Sequence, residues 1–188
     1  MTTSDADLTS LRLPTSELAV AADTLVSDVA SAIIYNHSVR SYLFAREVAG
    51  AHGLQPDADY DDELVYLSCI LHDLGATDHA NGDQRFEIDG ADAAAEFLRA
   101  HDVDEARAQT VWNAIALHTS DGIAHRFGPV EAVAQMGIAA DILGRDRDLL
   151  PEASPIRCTP SGPDTISAMH SPTSSLSRYT PTLPRAAP

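Results

Sequence analysis

The chain has 188 residues, 44% hydrophobic and only 5% aromatic, with twelve basic residues against 28 acidic ones and a formal net charge of −16. That length suffices for one domain with its own core, and no apolar run is long enough to span a bilayer. Every basic residue is an arginine, and so acidic a surface repels polyanions, which argues against nucleic acid and anionic membranes as partners.

The opening "MTTSDADLTS" lacks a basic or apolar targeting pattern, so residues 1–15 read as a flexible N-terminus and a cytoplasmic location is expected. A first helix is expected over about 16–33, after Pro14, with Thr15 or Ser16 as its cap. A second is expected from Asn36, a good capping residue, to about Ala51, before Gly53. A third, about 61–74, opens on acidic "DDE" and stops at Gly75. Two more follow at about 87–101 and 103–118, and a last one runs from Pro129, suited to a first turn, to Gly144.

The composition changes at Pro151: residues 151–188 hold eight of the eleven prolines, seven serines and five threonines. Such a segment buries too little apolar surface to fold alone and reads as a disordered tail. A shifted reading frame in the coding sequence is one explanation for the break. Cys69 in an apolar helix and Cys158 in the tail make no disulfide framework. The expected fold is all-α, a compact orthogonal helical bundle over residues 16–150.

Several of these helices carry an ionisable group on an apolar stripe. In "LVYLSCILHDLG", Val65, Ser68, Cys69 and His72 recur at spacings of three and four, so His72 faces protein and Asp73 follows it at the helix end. His37 leads a stripe through Ser41, Phe44 and Val48, and His118 ends one through Val111, Ala114 and Ile115. Asp141 closes the stripe Val130, Val133, Ala134 and Gly137. An ionised carboxylate there costs several kcal/mol unless a cation meets it. A single buried histidine is as a rule a satisfied core residue, and the dipeptide itself is weak evidence: His101–Asp102 repeats it in polar surroundings, where it reads as solvated.

One divalent metal accounts for the four residues together. His37, His72, Asp73 and Asp141 offer two imidazoles and two carboxylates, a mixed set suited to zinc or iron, or to manganese, and less to a thiolate-bound structural zinc. A metal with room for water activates it as a nucleophile near neutral pH.

The segments "NHSVRSYLFA", "ILHDLGATD", "RFEIDGADAAAEFL", "ALHTS" and "GIAADILG" resemble, in this order, HD-domain metalloproteins. The Asn-His-Ser-x-Arg opening and the Arg-Phe-Glu segment are similar to the cyanamide hydratase-like branch, whose fungal members hydrate cyanamide to urea. The resemblance implies a helical HD domain over residues 16–150 with one metal on His37, His72, Asp73 and Asp141. The chain departs from it at Pro151, where "PEASPIRCTPSG" stands in place of further helical sequence.

The resemblance implies an enzyme that directs water onto a small molecule, with a nitrile such as cyanamide expected first. His118 is the candidate to protonate the nitrogen, with Thr119 beside it as a hydrogen-bond donor; Glu87 is a candidate proton shuttle or supporting group. Arg40 separates two chemistries, clamping a phosphate in a phosphohydrolase or pairing with a carboxylate behind the metal in a hydratase. A chain without lysine favours a small neutral substrate over an anionic one. A phosphohydrolase and a non-catalytic regulatory module remain the alternatives, and self-association is left open.

Overall fold

Ser16 opens the first helix, α1 (Glu17–Val29), by accepting a hydrogen bond from the Ala19 amide at 3.0 Å. The computed structural model describes residues 13–154 and 156–157. Most of the expected N-terminal segment and the tail beyond Arg157 lie outside the described residues.

α2 (Ala32–Ala51) starts four residues earlier than Asn36, and α1 ends four residues before the expected boundary at residue 33. The break falls where Ala30 turns extended and the Ser31 hydroxyl accepts from the Ile34 amide. Ser31 wins as cap because the apolar stripe of α2 already begins at Ile34, which leaves Asn36 exposed inside the helix.

α3 (Asp62–Leu71) is capped by Asp61, whose carboxylate accepts from the Leu64 amide, and every residue from Leu64 to Leu71 is buried. It packs against α1, α2 and the two helices α5 and α6 described next, which makes it the central helix. The other three are α4 (Phe86–Ala100), α5 (Glu105–Leu117) and α6 (Pro129–Leu143), with α4 and α5 paired and α2 lying along α6. Arg107 of α5 ties the α3 N-terminus down through Asp61 at 2.8 Å and Glu63 at 2.9 Å. Among the described residues there is no strand, only an isolated bridge between Pro56 and Tyr60, and the fold is all-α.

Two glycines set how closely the site helices approach. A Cβ on Gly137 of α6 would stand 2.1 Å from the Ser41 carbonyl oxygen and 2.5 Å from Ala45 Cβ, so only glycine lets α6 press against α2. Gly75 serves the same end and is not a left-handed helix stop: α3 has already ended at Leu71, and a Cβ on Gly75 would meet the Phe86 carbonyl at the start of α4. The left-handed stop belongs to Gly144, at φ 71°, which closes α6 as its position predicts.

Beyond α6 the chain folds back. Arg147 donates to the Ala140 carbonyl at 2.7 Å and lies over the Phe44 ring, 4.3 Å from its centre. Leu150 and Ile156 are buried there with Phe44, Val48 and Ala140 in a second small core. Among the described residues no helix is long and apolar enough to cross a membrane.

Candidate metal centre

His37 from α2, and His72 and Asp73 at the exit of α3, meet in the interior, with His118 from the end of α5 beside them. His37 and His72 are fully buried, Asp73 is 1% exposed and His118 6%. His37 and His72 turn their Nε2 atoms to each other at 3.1 Å. Asp73 Oδ2 lies 3.3 Å from His72 Nε2 and 3.8 Å from His37 Nε2, while His118 Nε2 stands 4.0 Å from Asp73 Oδ1. The turn after α3 places this group: His72 caps the helix in helical conformation, and the backbone then tightens into a single 3-10 turn, Leu74–Ala76, held against α4 by Gly75.

Proton accounting shows what the cluster lacks. His72 Nδ1 lies 2.7 Å from the Cys69 carbonyl and His118 Nδ1 2.7 Å from the Ile115 carbonyl. A carbonyl only accepts, so both Nδ1 atoms carry the proton and both Nε2 atoms present lone pairs. His37 Nδ1 faces the Asp141 carboxylate at 2.7 Å and therefore also donates, which leaves its Nε2 as a third lone pair. Both oxygens of Asp73 and His118 Nε2 have no hydrogen-bond partner. With all three rings neutral, three imidazole lone pairs and a carboxylate converge in the interior, and none of them can donate unless His72, whose pKa is raised, takes up a second proton. Such a group requires a positive charge.

Charge shifts agree with this demand. Burial pushes Asp73 up, but the imidazoles of His72, His37 and His118 outweigh it and hold the carboxyl below its usual range. Burial likewise pushes His72 down, yet Asp73 draws it upward overall. For His118 burial and the neighbouring His72 prevail and bring it to about 4, so its Nε2 is unprotonated at neutral pH. His37, His72 and Asp73 each offer one atom within 4.8 Å of the others, a set that suits a divalent ion.

Asp141 stands apart from this trio. Its Oδ2 accepts from His37 Nδ1 and from Arg40 Nη2 at 2.8 Å, and its Oδ1 from Arg40 Nε at 2.9 Å and Arg147 Nη2 at 3.3 Å. Burial raises its pKa, but these donors hold it down. The inward acid is thus met by two arginines and an imidazole N–H, on the side of the His37 ring away from the cluster.

Glu87, 1% exposed at the start of α4, accepts from the Thr119 hydroxyl and from Arg85. Burial pushes this carboxyl up as well, and the bonds from Arg85 and Thr119 reverse the shift and keep it ionised. The comparison dipeptide His101–Asp102 is exposed, as its polar surroundings suggest, and Asp78 is exposed after the metal-side turn.

A family model for the HD domain matches residues 34–154, well over half of the chain. The chain belongs to the HD domain family. No curated protein sequence matches it. HD domains bind divalent metals and are for the most part metal-dependent hydrolases, and the His37–His72–Asp73 cluster of this HD domain is able to hold such an ion.

A cavity of about 230 Å³ opens over the three histidines of the HD domain. Thr119 and Gln135 give it two polar groups, and its far wall is Ile138, Ala139, Ile142 and Leu143 of α6. At its rim Arg145 is bound through both terminal nitrogens to Asp121. Sequence patterning misses this wall. Gln135, Ile138, Ala139 and Ile142 form a second stripe at helical spacing, but α6 is apolar on nearly every side, so the core-facing stripe masks it.

Proposed function

We propose that this HD domain directs water onto a small uncharged substrate, most fittingly a nitrile-type compound such as cyanamide, hydrated to urea. One observation carries the choice of substrate charge: each arginine around the centre is committed to a carboxylate. Arg40 binds Asp141, Arg85 binds Glu87 and Arg145 binds Asp121, each through two nitrogens or paired bonds. Clamping a phosphate would mean breaking one of these pairs.

The orphaned Asp73 oxygens and the lone pair of His118 fit a divalent ion, zinc, iron or manganese, which His37, His72 and Asp73 would hold. When bound, the ion supplies Lewis acidity and makes water acidic near neutral pH. Asp141 fixes His37 in the tautomer that leaves Nε2 free, with Arg40 anchoring the carboxylate from behind. His118 Nε2, unprotonated and lining the cavity, is the acceptor for a proton from the attacking water. It can then return that proton to the nitrogen, which gains charge as oxygen adds to the nitrile carbon. Thr119 gives its proton to Glu87, so it is not the donor to the substrate that its position suggests; its oxygen, which also faces Arg85 Nη2 at 3.4 Å, has one lone pair left to accept an N–H such as that of cyanamide. Ionised Glu87, tied to Arg85, serves as a positioning residue for Thr119.

The test pairs two assays on metal-loaded protein, urea release from cyanamide and phosphate release from a nucleotide panel. Urea without phosphate supports the hydratase. Phosphate without urea selects the phosphohydrolase, and neither product selects a non-catalytic module.

A further inference from the structure

The cavity is larger and more apolar than cyanamide requires. At about 230 Å³ it has room to spare around cyanamide, which has three heavy atoms. The excess space lies against Ile138, Ala139, Ile142 and Leu143, with Leu143 61% exposed although it is a large apolar residue. An apolar wall left facing water beside a reactive centre marks a place that a ligand's apolar part covers. Among the described residues that line the cavity, Arg145 and Asp121 neutralise each other at the rim, which leaves no open charge for an ionised substituent.

We infer that the substrate of this HD domain carries a small aliphatic substituent, about three to five carbons long, which the second stripe of α6 binds while the reacting group lies at the histidines. The inference rests on the nitrile-hydration reading for its reactive group, and the reaction balances as R–C≡N plus H2O giving R–C(O)NH2. Ala139 sets the depth: it is the smallest residue on the wall, lying between Ile138 and Ile142, so a larger side chain there fills the space.

Calorimetric binding of a straight-chain series, acetonitrile through nonanenitrile, to the full-length metal-loaded chain tests this apart from turnover. Affinity should climb about fourfold per methylene, then level off near five carbons. In Ala139→Leu the climb should end about two carbons sooner. Ile142→Thr, which makes the wall polar and trims it by one carbon rather than filling the space, should flatten the climb without shortening it. It provides a second reading if the leucine variant fails to fold. An affinity independent of chain length, or tighter binding of inorganic phosphate than of any nitrile, would overturn the inference. The two readings fail separately: a chain-length climb without amide formation defeats the hydration reaction and leaves the apolar subsite, while cyanamide hydration without a climb defeats the subsite alone.

Discussion

His37 Nδ1 donates to Asp141 Oδ2 across 2.7 Å, joining the inward acid of α6 to the isolated histidine of α2. Arg40 and Arg147 complete the shell of Asp141, so its buried charge is balanced without any ion. The carboxylate of Asp73, with no hydrogen-bond partner on either oxygen, is the one left open to a cation. Asp141→Asn should therefore weaken metal binding by about 10- to 100-fold without abolishing it, as expected of a group that orients a ligand. Competition against a metal-chelating dye measures this, and complete loss of the metal would instead make Asp141 a ligand.

Gly137→Ala tests the approach of α6 to α2. The added methyl would sit 2.1 Å from the Ser41 carbonyl oxygen, which is backbone and cannot swing away. The helices must part, at a cost of about 1–3 kcal/mol or more. A thermal melt should show a clear drop in Tm, and metal affinity should fall with it because His37 and Asp141 are held across this contact. An unchanged Tm would mean that the two helices do not meet as closely as described.

Glu87 makes the fold sensitive to acid. Its folded pKa lies below the usual 4.5, because the bonds from Arg85 and Thr119 outweigh burial. Between those two values the unfolded chain binds a proton that the folded chain does not, so this contribution is whole above 4.5 and is lost as pH falls through the folded value. Glu87→Gln cannot titrate. It should be about 1–3 kcal/mol less stable near neutrality, where the charged bond to Arg85 is weakened. Its urea midpoint should then fall less than that of the unaltered protein between about pH 6 and about pH 3.5. Parallel loss in both proteins would show that Glu87 is not the responsible group.

Much of this centre is legible in the sequence, and the reason is periodicity. His37, His72 and His118 each fall on an apolar helical stripe, and helical spacing fixes which way a side chain points. Periodicity does not reveal what the side chain meets. Asp141 reads correctly as inward and buried, but its partner Arg40 is 101 residues away, and only packing shows that an arginine reaches it. Helix ends are legible where a cap and the stripe agree, at Ser16 and Gly144; Asp61, expected as the first residue of its helix, is its cap, and the boundary shifts further where two caps compete, at Ser31 and Asn36. The cavity wall was hidden because α6 is apolar both toward the core and toward the ligand space.

Removal of the ion should expose the cost of the acceptor cluster. A ligand present at 100 times its Kd stabilises the folded state by ~2.7 kcal/mol. Dialysis against a chelator should thus lower Tm by several degrees, and readdition of zinc should restore it. A melt indifferent to both treatments would indicate that His72 takes up a proton in place of a metal.

Metal content of the purified chain, measured by mass spectrometry alongside the variants His72→Ala and Asp73→Ala, tests the need for a cation most directly. About one divalent ion per chain should be found in the unaltered protein, and next to none in either variant, with helix content retained by circular dichroism. Equal metal in all three proteins, or none in the unaltered chain after loading with zinc, iron and manganese in turn, would contradict a metal centre at His37, His72 and Asp73.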